Sequence, residues 1–108
     1  VPQRPPPQSD AYTLHQLKGL YHVVYVGYAT DCANRFKDHV AEYNRHGKQI
    51  KMYESVEFDD AGAAEEKLLK HYDRNKQQTY RSKGLNNQQL HSNRKGQRGH
   101  AYVLIQIN

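Results

Sequence analysis

Arg35 and His39 stand one helical turn apart beside the apolar positions Phe36 and Val40. Spacing of i,i+4 points both at one neighbour, so the pair is either a phosphate-binding edge or a solvated helix flank. Glu65 is a second candidate for chemistry. Positions 61, 65, 68, 69 and 72 follow helical spacing, which places this carboxylate on one face with Ala61, Leu68, Leu69 and Tyr72. Glu66, turned by about 100°, groups with Lys70 and Asp73 on the wet side. A carboxylate on a packing face needs a cation, a metal ion or a hydrogen-bond network. A buried ion pair with an arginine meets that need as well as a catalytic site does. The chain also holds nine tyrosines and no tryptophan, with Tyr12, Tyr21 and Tyr25 close in sequence. Tyrosines by themselves mark core edges and interfaces.

Other chemistries are excluded by what is missing. The histidines show neither HExxH nor HxH spacing, and Cys32 is a lone cysteine, so a structural zinc site is not expected. No phosphate-binding Walker loop or GxGxxG stretch occurs. No run of about 18 apolar residues is present, which removes a transmembrane helix.

The elements that must position these residues can be read from periodicity. The chain has 108 residues, a formal charge of +5 and 36% hydrophobic content, with a mean hydropathy of −1.07. One small domain is the expectation. Residues 1–10 (VPQRPPPQSD) carry all four prolines and read as an extended tether, with the domain spanning 11–108. Alternation at Tyr12 and Leu14, a Gly19-containing loop and the β-prone run LYHVVYV (20–26) predict a hairpin, punctuated by Gly27. Thr30 or Asp31 caps a helix to about Arg45, with the stripe Ala33, Phe36, Val40, Tyr43. Residues 50–58 read as a strand, and Asp59 or Asp60 caps a second helix through Tyr72. From Asp73 to His100 seven cations (Arg74, Lys76, Arg81, Lys83, Arg94, Lys95, Arg98) face one anion, Asp73, and Leu85 and Leu90 could anchor a short helix. AYVLIQIN (101–108) closes the chain as a strand. The fold class is α+β, a small, mostly antiparallel sheet flanked by helices in the order β-β-α-β-α-(α)-β.

Together these features resemble the GIY-YIG nuclease superfamily over roughly residues 11–89. Tyr25-Val26-Gly27 stands as the second signature tripeptide, and GYATDCANRFKDH carries the helical Arg35 and His39 behind it. Glu65, three residues before Leu68-Leu69, sits where the family's metal-binding glutamate sits. GLNNQQ (84–89) resembles the segment carrying the family's asparagine, with Asn87 favoured over Asn86. Gly19-Leu20-Tyr21 looks like the first tripeptide, but the three residues before Tyr25 cannot hold the intervening turn and strand. Asp10-Ala11-Tyr12 fits that topology better, so Tyr12 is taken as the first-motif tyrosine.

The resemblance implies a metal-dependent endonuclease cutting DNA. Tyr12 and Tyr25 would activate water, and Arg35 would clamp the non-bridging oxygens. His39 would orient Tyr25 or move a proton. Glu65 would hold one Mg²⁺ or Mn²⁺ ion, and Asn87 would brace the site. The seven cations of 73–100 would supply sequence-blind attraction to nucleic-acid backbone. The tether and the non-Met start suggest the C-terminal toxin module of a larger secreted bacterial protein, acting in a target cell and restrained by an acidic immunity protein. Alternatives are an RNase toxin cleaving tRNA, a restriction or repair nuclease fragment, and a non-catalytic nucleic-acid-binding module.

Overall fold

The computed structural model describes Leu14, residues 22–72 and residues 92–107. Five elements follow in the order β1 (His22–Ala29), α1 (Cys32–Arg45), β2 (Ile50–Glu54), α2 (Ala61–Tyr72) and β3 (His100–Gln106). They form a small α+β unit with a three-stranded sheet in the order β1-β3-β2. Both pairings are antiparallel. The last strand is thus the middle one. Its sequence explains the placement: Ala101 to Ile105 are all fully buried, and a strand covered on both faces reads as a continuous apolar run.

The two faces of β3 feed separate cores. Ala101, Val103 and Ile105 pack with Leu68, Leu69 and Tyr72 of α2 and with Leu14. Tyr102 and Leu104 pack with Cys32 and Tyr43 of α1, supported by Phe36 and Val40. Each helix is started by an aspartate whose carboxylate takes an otherwise orphaned backbone N–H. Asp31 accepts from Asn34 N at 3.1 Å, and Asp60 accepts from Ala63 N at 2.9 Å. Asp60 also accepts from Gly96 N at 2.7 Å, tying the segment before β3 to the start of α2. The α1 helix stops at Gly47, whose φ of 71° is the left-handed turn glycine permits. Gly47 N then donates to Asn44 O and Lys48 N to Tyr43 O.

Several expected details differ. Leu14 is helical and fully buried, rather than part of a strand. Gly27 does not end its strand; β1 continues to Ala29. The strand expected over 50–58 stops at Glu54, because the Ser55 side chain replaces a ladder group. Ser55 Oγ accepts from Ala101 N at 3.0 Å and donates to Val56 O. Phe58 regains only a single bridge, to Gly99. On α1 the inward positions are Cys32, His39 and Tyr43, whereas Ala33 is exposed. The stripe therefore starts one residue earlier than expected, and His39 lies on it. No helix among the described residues is long and apolar enough to cross a membrane.

Candidate active site

A one-residue irregularity in β1 turns Tyr25 toward α1. Val23 pairs with Ile105 but Tyr25 pairs with Leu104, so Val24 is the extra residue of a β-bulge. Side chains alternate faces along a regular strand; the bulge breaks that alternation. Val23 and Val26 pack in the α2 core, while the consecutive Val24 and Tyr25 both join the α1 core. Without the extra residue Tyr25 would share the face of Val23.

On that face Tyr25 meets His39 and Tyr102. Its ring centroid lies 4.7 Å from the His39 ring and 6.2 Å from the Tyr102 ring, the latter in a stacked arrangement. His39 Nε2 and the Tyr102 hydroxyl are 2.7 Å apart. Tyr102 reaches this position by lying across Gly27, its cross-strand partner. A Cβ at Gly27 would stand 2.3 Å from the Tyr102 Cζ and hydroxyl oxygen. The glycine of the YVG tripeptide thus makes room for a phenol from the other end of the chain. Tyr102 is the functional candidate that local pattern reading missed.

Burial sets the protonation of this trio. It pushes the Tyr25 and Tyr102 phenols above their ordinary range and the His39 imidazole below its own. The exposed Arg35 guanidinium opposes the shift of both phenols, and reinforces that of His39. A neutral imidazole beside two protonated phenols is the neutral-pH state. The Glu65 carboxylate raises both phenols further, so its charge lies within electrostatic reach of them. No hydrogen bond joins it to the trio among the described residues.

Glu65 and Glu66 are sorted into different roles by the segment before β3. Burial raises the Glu65 carboxyl above the usual carboxylate range. Its hydrogen-bond partner is Ser92, whose Oγ donates to Oε1 at 2.7 Å. Glu66 was expected on the wet side with Lys70. It does pair with Lys70 at 3.5 Å, but its side chain is only 14% exposed and is also held by Lys95 at 2.9 Å. Ser92 N adds a third contact at 3.2 Å. These donors hold the Glu66 carboxyl down at about 2, the Lys95 hydrogen bond being the largest cause. The outward phase was incomplete because 92–98 folds back over α2. Gly62 permits this, since its missing Cβ would meet the Arg94 carbonyl at 2.0 Å.

Of the cations in the basic stretch, Arg94, Lys95 and Arg98 are described. Lys95 is spent on Glu66. Arg98 pairs with Glu57 at 3.0 Å and with Asp59. Arg94 makes no ion pair among the described residues; its guanidinium lies 5.9 Å over the Tyr28 ring, and its charge acts on Glu65. Tyr12, Tyr21, Arg74, Lys76, Arg81, Lys83, Asn86 and Asn87 lie outside the described residues.

No group of three or more His, Cys, Asp or Glu side chains among the described residues is arranged to hold a metal ion. A lone carboxylate still suits Mg²⁺, which keeps several waters and takes one or two carboxylates beside substrate phosphates. Glu65 fits that pattern. Ser92 occupies its Oε1, and among the described residues no group donates to Oε2. A scan against protein-family models, a search of curated proteins and a search of solved structures each returned no match.

Proposed function

We propose that this chain is a metal-dependent endonuclease domain hydrolysing phosphodiester bonds, with DNA as the preferred substrate. The observation that carries the reading is the meeting of Tyr25, His39 and Tyr102 within the fields of Arg35 and Glu65. Packing alone does not call for it. A structural cluster gains nothing from the combined charges of a desolvated carboxylate and of a guanidinium that makes no ion pair among the described residues, both acting on the same phenols.

The family resembled places its two tyrosines on neighbouring strands, the first preceding the YVG strand. Among the described residues the neighbour of the YVG strand is β3, so we take Tyr102, rather than Tyr12, as the partner phenol.

The residues divide the work of the reaction. Arg35 presents a bidentate fork to the non-bridging phosphoryl oxygens. Tyr25, the half-buried phenol, orients the attacking water, while the fully buried Tyr102 holds the His39 ring beside it. As that water attacks phosphorus, the bond from phosphorus to the leaving oxygen breaks, the water's proton passes to the His39 imidazole, and the leaving oxygen takes a proton from solvent. The neutral imidazole is the state able to receive the water's proton. Glu65 would hold Mg²⁺ or Mn²⁺, which when bound supplies charge stabilisation to the phosphoryl and leaving oxygens. Arg94 adds attraction for a neighbouring phosphate.

Nicking of a supercoiled plasmid with Mg²⁺ and with EDTA, beside total RNA, tests the reading. Nicking that needs the metal is expected. Degradation of RNA with intact plasmid would move the substrate to RNA, and inertness toward both would leave a binding module.

A further inference from the structure

We propose that Ser92 is a positioning residue for the Glu65 carboxylate, fixing one oxygen so that the other is presented to a divalent cation. The inference rests on the nuclease reading and names a residue that it does not need.

The direction of the hydrogen bonds makes the case. Ser92 Oγ accepts from Arg94 N at 3.0 Å, which leaves its single hydrogen for Glu65 Oε1 at 2.7 Å. A backbone amide thus feeds a hydroxyl that feeds a carboxylate, and each bond polarises the next. Ser92 is only 8% exposed, so water competes poorly for the hydroxyl. The same residue's N–H goes to Glu66 Oε1 at 3.2 Å. One serine therefore reads two consecutive carboxylates and treats them differently.

The difference is in charge. Glu66 is neutralised by Lys95 and Lys70. Glu65 receives one neutral donor and makes no ion pair among the described residues, although Arg94 acts on it through space. A carboxylate compensated by ammonium groups is a poor cation ligand. One oriented by a hydroxyl keeps its charge for a cation. Orienting partners of this kind are commonly as important to metal sites as the ligands, their loss costing about 10- to 100-fold in affinity.

A serine that merely tied a loop to a helix would affect stability alone, and the experiment separates the two. Mn²⁺ binding is followed by electron paramagnetic resonance, together with the Mg²⁺ concentration giving half-maximal nicking and the melting temperature. Ser92→Ala is expected to weaken Mn²⁺ binding about tenfold and raise the Mg²⁺ midpoint similarly. Ser92→Thr, which keeps the hydroxyl, restores both. Should Ser92→Ala fail to fold, Ser92→Cys, a weak donor of similar size, carries the same comparison. Unchanged Mn²⁺ affinity and Mg²⁺ midpoint with a lowered melting temperature overturn the positioning role alone. A wild-type protein that binds no Mn²⁺ and cuts nothing overturns the nuclease reading with it.

Discussion

His39 Nε2 and the Tyr102 hydroxyl, 63 positions apart in the chain, lie 2.7 Å from one another and join α1 to the middle strand of the sheet. Both partners are buried, so each would be left with an unsatisfied polar group if the other were removed. Tyr102→Phe keeps the ring and its packing but removes the hydroxyl. Nicking should fall by about 100-fold, because His39, the proton-transfer group, loses the hydroxyl that orients it. Melting should drop by an amount matching about 1–3 kcal/mol for the orphaned imidazole. Tyr12→Phe should cleave normally. Comparison of the two nicking rates, with circular dichroism to check folding, decides which tyrosine pairs with Tyr25.

The same bond gives a pH signature. Burial holds the His39 pKa in the folded protein below its ordinary 6.5. Between the folded and unfolded values the unfolded chain binds the additional proton, so stability rises with pH across that interval. Acidification below about 6.5 should therefore lower the melting temperature and stop proton transfer to His39 together. His39→Gln should lose activity at every pH and flatten this part of the melting profile. A wild-type profile with no acid limb near there would mean that His39 carries a proton in the folded state.

Gly27 should tolerate no side chain, whereas Gly47 should. An added Cβ at Gly27 collides with the Tyr102 ring, displacing the phenol from His39. Overpacking of this kind costs about 1–3 kcal/mol, and for Gly27→Ala cleavage should go with it. Gly47→Ala meets no atom within 4 Å but must adopt a φ of 71°, a strain of about 1–2 kcal/mol. Its melting temperature should fall while its nicking rate stays at the wild-type level.

Much of the scaffold was legible locally. The capping aspartates, the helix lengths and the inward phase of Glu65 follow from spacing within a dozen residues. What spacing does not encode is which strand lies beside which. Tyr102 was legible as part of a strand, yet its pairing with Gly27 depends on a contact across most of the chain. One signal was present: a run as apolar as 101–105 has to be a central strand, so its tyrosine had to face one helix or the other. The bulge at Val24 left no such trace, because one unpaired residue changes neither composition nor periodicity. On α1 the expected Phe36, Val40 and Tyr43 do pack inward, but Ala33 was taken for the stripe in place of Cys32. His39, read as flanking the stripe, is itself buried.

Charge bookkeeping in the basic stretch predicts unequal effects on nucleic-acid binding. Lys95 and Arg98 are already paired with carboxylates, while Arg94 is not paired among the described residues. Arg94→Gln should therefore reduce the log–log salt slope of binding by about one, the value for one lost phosphate contact. Arg98→Gln should leave the slope nearly unchanged and lower the melting temperature, since Glu57 and Asp59 lose their shared partner. Fluorescence anisotropy of a labelled duplex across a salt series measures both. Equal slope changes for the two variants would show that the Arg98 ion pairs open on binding.

Glu65 and Glu66 should separate activity from stability in opposite directions. Burial raises the Glu65 carboxyl, so its ionised form is tolerated rather than favoured by the fold. Glu65→Gln removes that cost and keeps the shape, so the melting temperature at neutral pH should hold or rise. Metal-dependent cleavage should nonetheless fall on the order of a thousandfold, about 4 kcal/mol of transition-state stabilisation. Glu66 has the reverse sign. Its folded pKa of about 2 lies below the ordinary 4.5, so its stabilisation is present above 4.5 and vanishes as pH falls toward 2. Glu66→Gln should cleave, but melt lower than wild type at neutral pH, with the gap closing on acidification through that window. Melting curves at pH 7 and pH 3, set beside nicking rates, make the comparison. A Glu66→Gln protein that is inactive yet melts like wild type would transfer the cation to Glu66 and remove Glu65 from the site.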